Sequence, residues 1–64
     1  MGKVNINTAD KTALMTLPGI GASKAEDIIQ YRKENGSFQK IEDIKKISGI
    51  KDAAFNKIKE LICV

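Results

Sequence analysis

The stretch Leu14-Met15-Thr16-Leu17-Pro18-Gly19-Ile20-Gly21-Ala22-Ser23-Lys24-Ala25 decides how this chain folds. Leu14 and Leu17 are spaced as neighbours on one helical face, and Pro18 ends that helix because the residue before a proline is pushed out of helical geometry. Proline fixes one angle of the following turn, and Gly19 can take conformations closed to other residues. Ile20, between two glycines, is expected to point inward and anchor the turn to a core. A second helix starts directly after Gly21. Several backbone N–H groups at its start have no partner within the helix, and such a terminus favours an anion, phosphate above all. Ser23 could add a hydroxyl donor, and Lys24 a charge near the same phosphate.

Working outward, Asn7-Thr8 before Ala9-Asp10 reads as a helix start, which places a first helix from there to about Thr16. The second helix runs from Ala22 or Ser23 to about Asn35, with Gly36 as a left-handed terminator. A short third helix is expected over roughly Ile41 to Ile47, and a fourth from about Asp52 to Ile62. No segment shows the strict alternation of a strand. Ala25, Ile28 and Ile29 share one face of the second helix; Ile41, Ile44 and Ile47 share one face of the third; Phe55, Ile58, Leu61 and Ile62 share one of the fourth. Such stripes are core. Glu42 and Lys46 are placed for an i,i+4 pair on the third helix. Tyr31 and Phe38 flank Gly36 and are expected to pack over that loop rather than to stack on nucleobases.

The pattern repeats at an offset of 30 residues. Leu14 matches Ile44, Leu17 matches Ile47, Gly19 matches Gly49, Ile20 matches Ile50 and Ile28 matches Ile58. Each copy reads short helix, tight hairpin, longer helix. Neither could bury its apolar face alone, so the two are expected to close on each other with pseudo-two-fold symmetry as a compact all-α domain of about four helices. The first unit spans about residues 8–36 and the second about 40–63, within a domain of 4–64. Residues 1–3 are expected to stand outside it.

Composition sets limits on the chemistry. The chain has 64 residues, 42% hydrophobic but with only three aromatics, so the core is aliphatic. A domain this small buries about 60% of the surface of its unfolded chain and leaves no room for a walled substrate cleft beside a core. With eleven basic and eight acidic residues the net charge is +3, spread evenly along the chain. That permits a polyanionic partner without requiring one. Cys63 is the sole cysteine, so no internal disulfide can form, and its apolar neighbours Leu61, Ile62 and Val64 mark a packing thiol rather than a reactive one. There is no histidine, no signal-peptide pattern at the N-terminus and no apolar run of about 18 to 20 residues.

A lone Gly-x-Gly would be read as a helical hairpin with glycines for geometry. Here the string Leu14-x-x-Leu17-Pro18-Gly19-Ile20-Gly21-x-x-x-Ala25-x-x-Ile28-Ile29 is specified at nine positions and followed by a degenerate copy. It resembles the helix-hairpin-helix motif, and the pair resembles the tandem form of that class. With Asn5-Ile6-Asn7-Thr8-Ala9, Tyr31-Arg32, Gly36-x-Phe38 and Ile41-Glu42-Asp43-Ile44, nearly the whole chain is similar to the C-terminal DNA-binding domain of ComEA-type competence proteins. The resemblance implies sequence-independent binding of double-stranded DNA, with hairpin amides on backbone phosphates across the minor groove and the domain acting as a DNA receptor in transformation. Carried over to this chain, the contacts fall on Pro18, Gly19, Ile20, Gly21, Ala22, Ser23 and Lys24, and on Ser48, Gly49, Ile50 and Lys51. It implies no cofactor and no small-molecule substrate, a monomer making no membrane contact itself, and a place on the outer face of a bacterial membrane through an upstream anchor.

The second copy departs from the motif. Ser48-Gly49-Ile50-Lys51-Asp52 carries lysine where glycine is expected; Lys51 brings a charge suited to phosphate, while Asp52 favours the helix start and repels phosphate. Phe55 stands where the first copy has Ala25, so the helices of this unit are expected to pack less closely. The first hairpin is therefore expected to be the principal grip. Three rivals stand beside this reading. A repair glycosylase shares the Leu-Pro-Gly-x-Gly string, but a catalytic lysine two residues after the second glycine would fall on Ser23, and 64 residues cannot enclose a base, so no catalysis is expected. The chain could still be the DNA-targeting domain of a repair protein. A protein-docking module of the same fold is compatible with the altered second hairpin, and hairpin carbonyls could hold a monovalent cation.

Overall fold

The computed structural model describes residues 2–64; Met1, which opens the stretch expected to stand outside the domain, lies outside the described residues. In chain order the elements are β1 (Val4–Asn5), α1 (Lys11–Leu14), α2 (Ala22–Asn35), a 3₁₀ helix (Ile41–Lys46), α3 (Asp52–Ile58) and β2 (Ile62–Cys63). About half of the chain is helical, and it folds into a body of 26 × 23 × 22 Å.

The repeat is realised as a shared core. Leu14 and Ile44, Leu17 and Ile47, Ile20 and Ile50, Ala25 and Phe55, and Ile28 and Ile58 are all buried, so each of these positions in one unit and its counterpart in the other belong to a single cluster. Full burial of an isoleucine or leucine side chain is worth about 1.5 to 3 kcal/mol, and this aliphatic set is what a chain with three aromatics has to use. Phe55 fits the interior despite replacing an alanine, and the ammonium of Lys45 lies 5.1 Å from its ring centroid.

α2 has the expected limits. Gly36 follows at φ 84°, ψ −176°, a region open to glycine alone, so the chain leaves the helix extended rather than in a left-handed turn. Tyr31 and Phe38 stack on each other, with centroids 5.2 Å apart and planes 9° from parallel. Phe38 is buried, so the pair closes the loop as expected and offers no free face on that side.

Several expectations are corrected. The first helix starts later than Asn7-Thr8 suggests: Asp10 is its N-cap, accepting the Ala13 N–H at 2.8 Å. Asn7 is used elsewhere, donating through Nδ2 to the Phe38 carbonyl at 3.1 Å while its Oδ1 accepts the Phe38 N–H at 2.7 Å. The third helix is 3₁₀. Its isoleucines recur every third residue, the period of that winding, which sets i and i+3 above one another; the ion pair is accordingly Lys46–Asp43 at 3.8 Å, not Glu42–Lys46.

The fourth helix ends at Ile58, and strands do occur. The Lys59 N–H still donates to Phe55, and the Leu61 N–H bends back to Ile58 at 2.8 Å, after which the chain runs straight. β2 pairs in parallel with β1, Val4 opposite Ile62 and Asn5 opposite Cys63. The change of period turns Leu61 out, 44% exposed, while Ile62 is buried. Ile29 and Ile41 are half-buried at the edge of the core.

The segment before α1 is fastened by side chains that carry no helix signal. The Asn5 Oδ1 accepts the Asn7 N–H at 2.8 Å, and the Arg32 guanidinium donates to the Ile6 carbonyl at 3.0 Å. Replacing Asn7 by alanine removes both bonds to Phe38 and is expected to cost about 1 to 3 kcal/mol. At roughly 4 to 8 °C per kcal/mol for a small domain, thermal unfolding reads this directly. An unchanged Tm would mean that the Asn7 amide does not hold the two segments together.

Candidate nucleic-acid interface

Both hairpins have the same backbone. In the first, the Ile20 N–H donates to the Leu17 carbonyl at 3.1 Å; in the second, the Ile50 N–H donates to the Ile47 carbonyl at 3.1 Å. Gly19 at φ 81° and Gly49 at φ 88° occupy the third turn position, where a positive φ is needed. Ile20 and Ile50 are buried, as expected, and tether the turn to the core. Pro18, Gly19, Gly21, Ala22 and Ser23 are exposed around the first turn, and Ser48, Gly49 and Lys51 around the second.

Each turn leads into a helix without a side-chain cap. Gly21 is the N-cap residue of α2 at φ −93°, ψ −170°, and Lys51 that of α3 at φ −108°, ψ −164°. The first backbone bond of α2 runs from the Ala25 N–H to the Gly21 carbonyl at 2.9 Å. The N–H groups of Ala22, Ser23 and Lys24 have no acceptor among the described residues. The fourteen-residue helix behind them aligns its peptide dipoles toward these donors.

The glycines do different work. Gly19 needs its positive φ, but Gly21 has an extended backbone that any residue adopts, and a Cβ built there meets nothing within 4 Å. Neither conformation nor packing calls for glycine at position 21. Lys51 shows as much, since it takes nearly the same angles. The two hairpins therefore differ in their side chains rather than in their backbones.

Charges around the hairpins are unevenly arranged. Asp52, expected to repel phosphate, pairs with Lys45 at 3.2 Å on the surface. The Lys11–Glu26 pair at 2.6 Å lies on α1 and α2. Lys24 has no ion pair among the described residues. Lys24 stands in the first turn after the first hairpin, and its Cε lies 3.1 Å from where a Cβ would stand on Gly49. No motif signal announces this crossing, because it depends on how the two units face each other. No cavity opens among the described residues, so the candidate site is an open surface.

Two hairpins of one geometry, each with a buried isoleucine and an uncapped following helix, define a paired helix-hairpin-helix domain. The chain belongs to the helix-hairpin-helix motif family, which it matches over residues 1–63. It is 59% identical over 61 residues to ComE operon protein 1 of Bacillus subtilis, covering 95% of this chain and 30% of that protein. It is 42% identical over 62 residues to endonuclease/exonuclease/phosphatase family domain-containing protein 1 of Homo sapiens, covering 97% of this chain and 11% of that one. An uncharacterized protein of Haemophilus influenzae is 43% identical over 61 residues, 94% of this chain and 54% of its own length. The chain thus spans about half or less of each of these relatives.

Gly19 and Gly21 should therefore respond differently to substitution. Gly19→Ala is expected to cost about 1 to 2 kcal/mol, because a Cβ is disfavoured at positive φ. Gly21→Ala should leave stability within about 0.5 kcal/mol of the parent. Urea unfolding of the two variants separates them, and equal losses would show that Gly21 has a structural role after all.

Proposed function

We propose that this domain binds double-stranded DNA irrespective of base sequence, by holding backbone phosphates on its hairpins. The observation that carries this reading is Gly21: a glycine demanded neither by its backbone angles nor by its neighbours, set directly before three unpartnered amides. A missing side chain at such a place leaves room for a phosphate to approach backbone N–H groups. The site comprises Pro18, Gly19, Ile20, Gly21, Ala22 and Ser23 of the first hairpin, Ser48, Gly49, Ile50 and Lys51 of the second, and Lys24, which starts on α2 and reaches Gly49, with Ile20 and Ile50 acting as anchors beneath it. Contacts of this kind position a protein on a duplex without reading bases.

The domain acts by binding rather than by catalysis, a reading supported by membership of the helix-hairpin-helix family. The 59% identity with ComE operon protein 1 supports a part in DNA uptake during competence, as the receiving domain of a larger protein. A DNA-targeting role within an enzyme is the second reading. It is favoured by the human relative, whose name records an endonuclease/exonuclease/phosphatase domain and of which the matched portion is 11%.

Two hairpins neutralising a few phosphates give a salt slope, log K against log salt, of about −2 to −4, and an affinity of roughly 10⁻⁴ to 10⁻⁶ M at physiological salt. Titration of labelled duplexes of unrelated sequence should return the same curve for each. Gly21→Asp sets a carboxylate before the amides and should weaken binding about tenfold or more while the helical spectrum is kept. Salt-insensitive or absent binding by the parent, or full affinity in a folded Gly21→Asp variant, rules this reading out.

A further inference from the structure

Lys24 belongs to the first turn of α2, yet its side chain lies over the tip of the other unit, with Cε 3.1 Å from the Cβ position of Gly49. The residue is half-buried, and no carboxylate engages it among the described residues. In the second unit Asp52 pairs with Lys45 and Asp43 with Lys46. Lys24 is therefore an unneutralised cation held beside the second hairpin.

The arrangement has no counterpart in the other direction. At the repeat offset of 30, Ala54 stands where Lys24 would be, and a Cβ built on Gly19 meets nothing within 4 Å. The first hairpin keeps open amides, with no lysine stem packed on its turn glycine. The second carries Lys51 at its N-cap position and receives a lysine from the other unit. Gly49 has a second reason to be glycine here, since a Cβ would crowd the Lys24 stem as well as strain the turn.

We propose that Lys24 is a phosphate ligand of the second hairpin rather than of its own, and that with Lys51 it forms a two-lysine grip there. This rests on the DNA-binding reading and assigns the contacts within it. The first hairpin holds phosphate mainly through backbone donors, and the second mainly through side-chain charge. One lysine therefore ties the two sites together.

The test is a titration of the full chain with a short DNA duplex, followed by backbone amide shifts, for the parent, Lys24→Met and Lys24→Arg. Methionine keeps the apolar stem and removes the charge, so the fold is expected to hold. In Lys24→Met the shift changes at Gly49, Ile50 and Lys51 should shrink while those at Gly21 to Ser23 persist, and the salt slope should become shallower by about 1. Lys24→Arg should restore both. Adding Lys51→Met should cost less in the Lys24→Met background than in the parent, since residues of one site do not add independently. If Lys24→Met instead silences Gly21 to Ser23, or changes neither set, Lys24 does not serve the second hairpin, and DNA binding itself still stands. A parent chain that gives no shifts at all overturns the DNA reading and this assignment together.

Discussion

Everything on the candidate surface depends on two buried isoleucines. A backbone turn offering free amides to solvent is a poor structure in isolation, because nothing holds it against the conformational entropy of a short loop. Ile20 and Ile50 solve this by sitting inside the core, one residue beyond the glycine that makes the turn. The inward side chain fixes which way the turn faces, and the amides beyond it are left outside. The core and the candidate surface are thus two sides of the same hairpin in each unit. This explains how a chain of 64 residues can present a preorganised surface with no cleft.

The units share one core built from equivalent positions, which makes the fold economical as well as asymmetric in charge. Each helix after a hairpin contributes one buried stripe to a common interior, so neither unit needs a core of its own. On the outside, equivalence is relaxed. Gly21 faces Lys51 in the alignment of the repeats, and Lys24 faces Ala54, with backbones that remain nearly superposable at the hairpins. A constrained interior with a free exterior lets the two hairpins diverge in their surface side chains without disturbing the packing that orients them.

The sequence made the hairpins legible because proline and glycine act locally, and it made the core legible because buried residues recur at helical spacing. Leu14, Ile20, Ile28 and their partners could be named from the repeat alone. Asn7 was misread as part of a helix start because asparagine before a threonine fits a cap; its real partner, Phe38, lies 31 residues away. The two strands were invisible because two residues cannot display an alternation. The isoleucine period of three did signal a 3₁₀ helix, but it also satisfies an α-helical stripe over so short a run. The crossing of Lys24 to Gly49 depends on the relation between units, which no local pattern encodes.

The short parallel ribbon joining the two ends of the domain bears on a different property. The Val4 N–H donates to the Leu61 carbonyl at 2.8 Å and the Ile6 N–H to the Cys63 carbonyl at 3.0 Å. Because the strands run the same way, a pull entering before Val4 and leaving after Cys63 draws them along each other in opposite senses. Both bonds then resist together in shear, instead of opening one after the other as in a peeled hairpin. The smallest element of the fold is thereby its mechanical clasp, closing the helical body against tension along the chain.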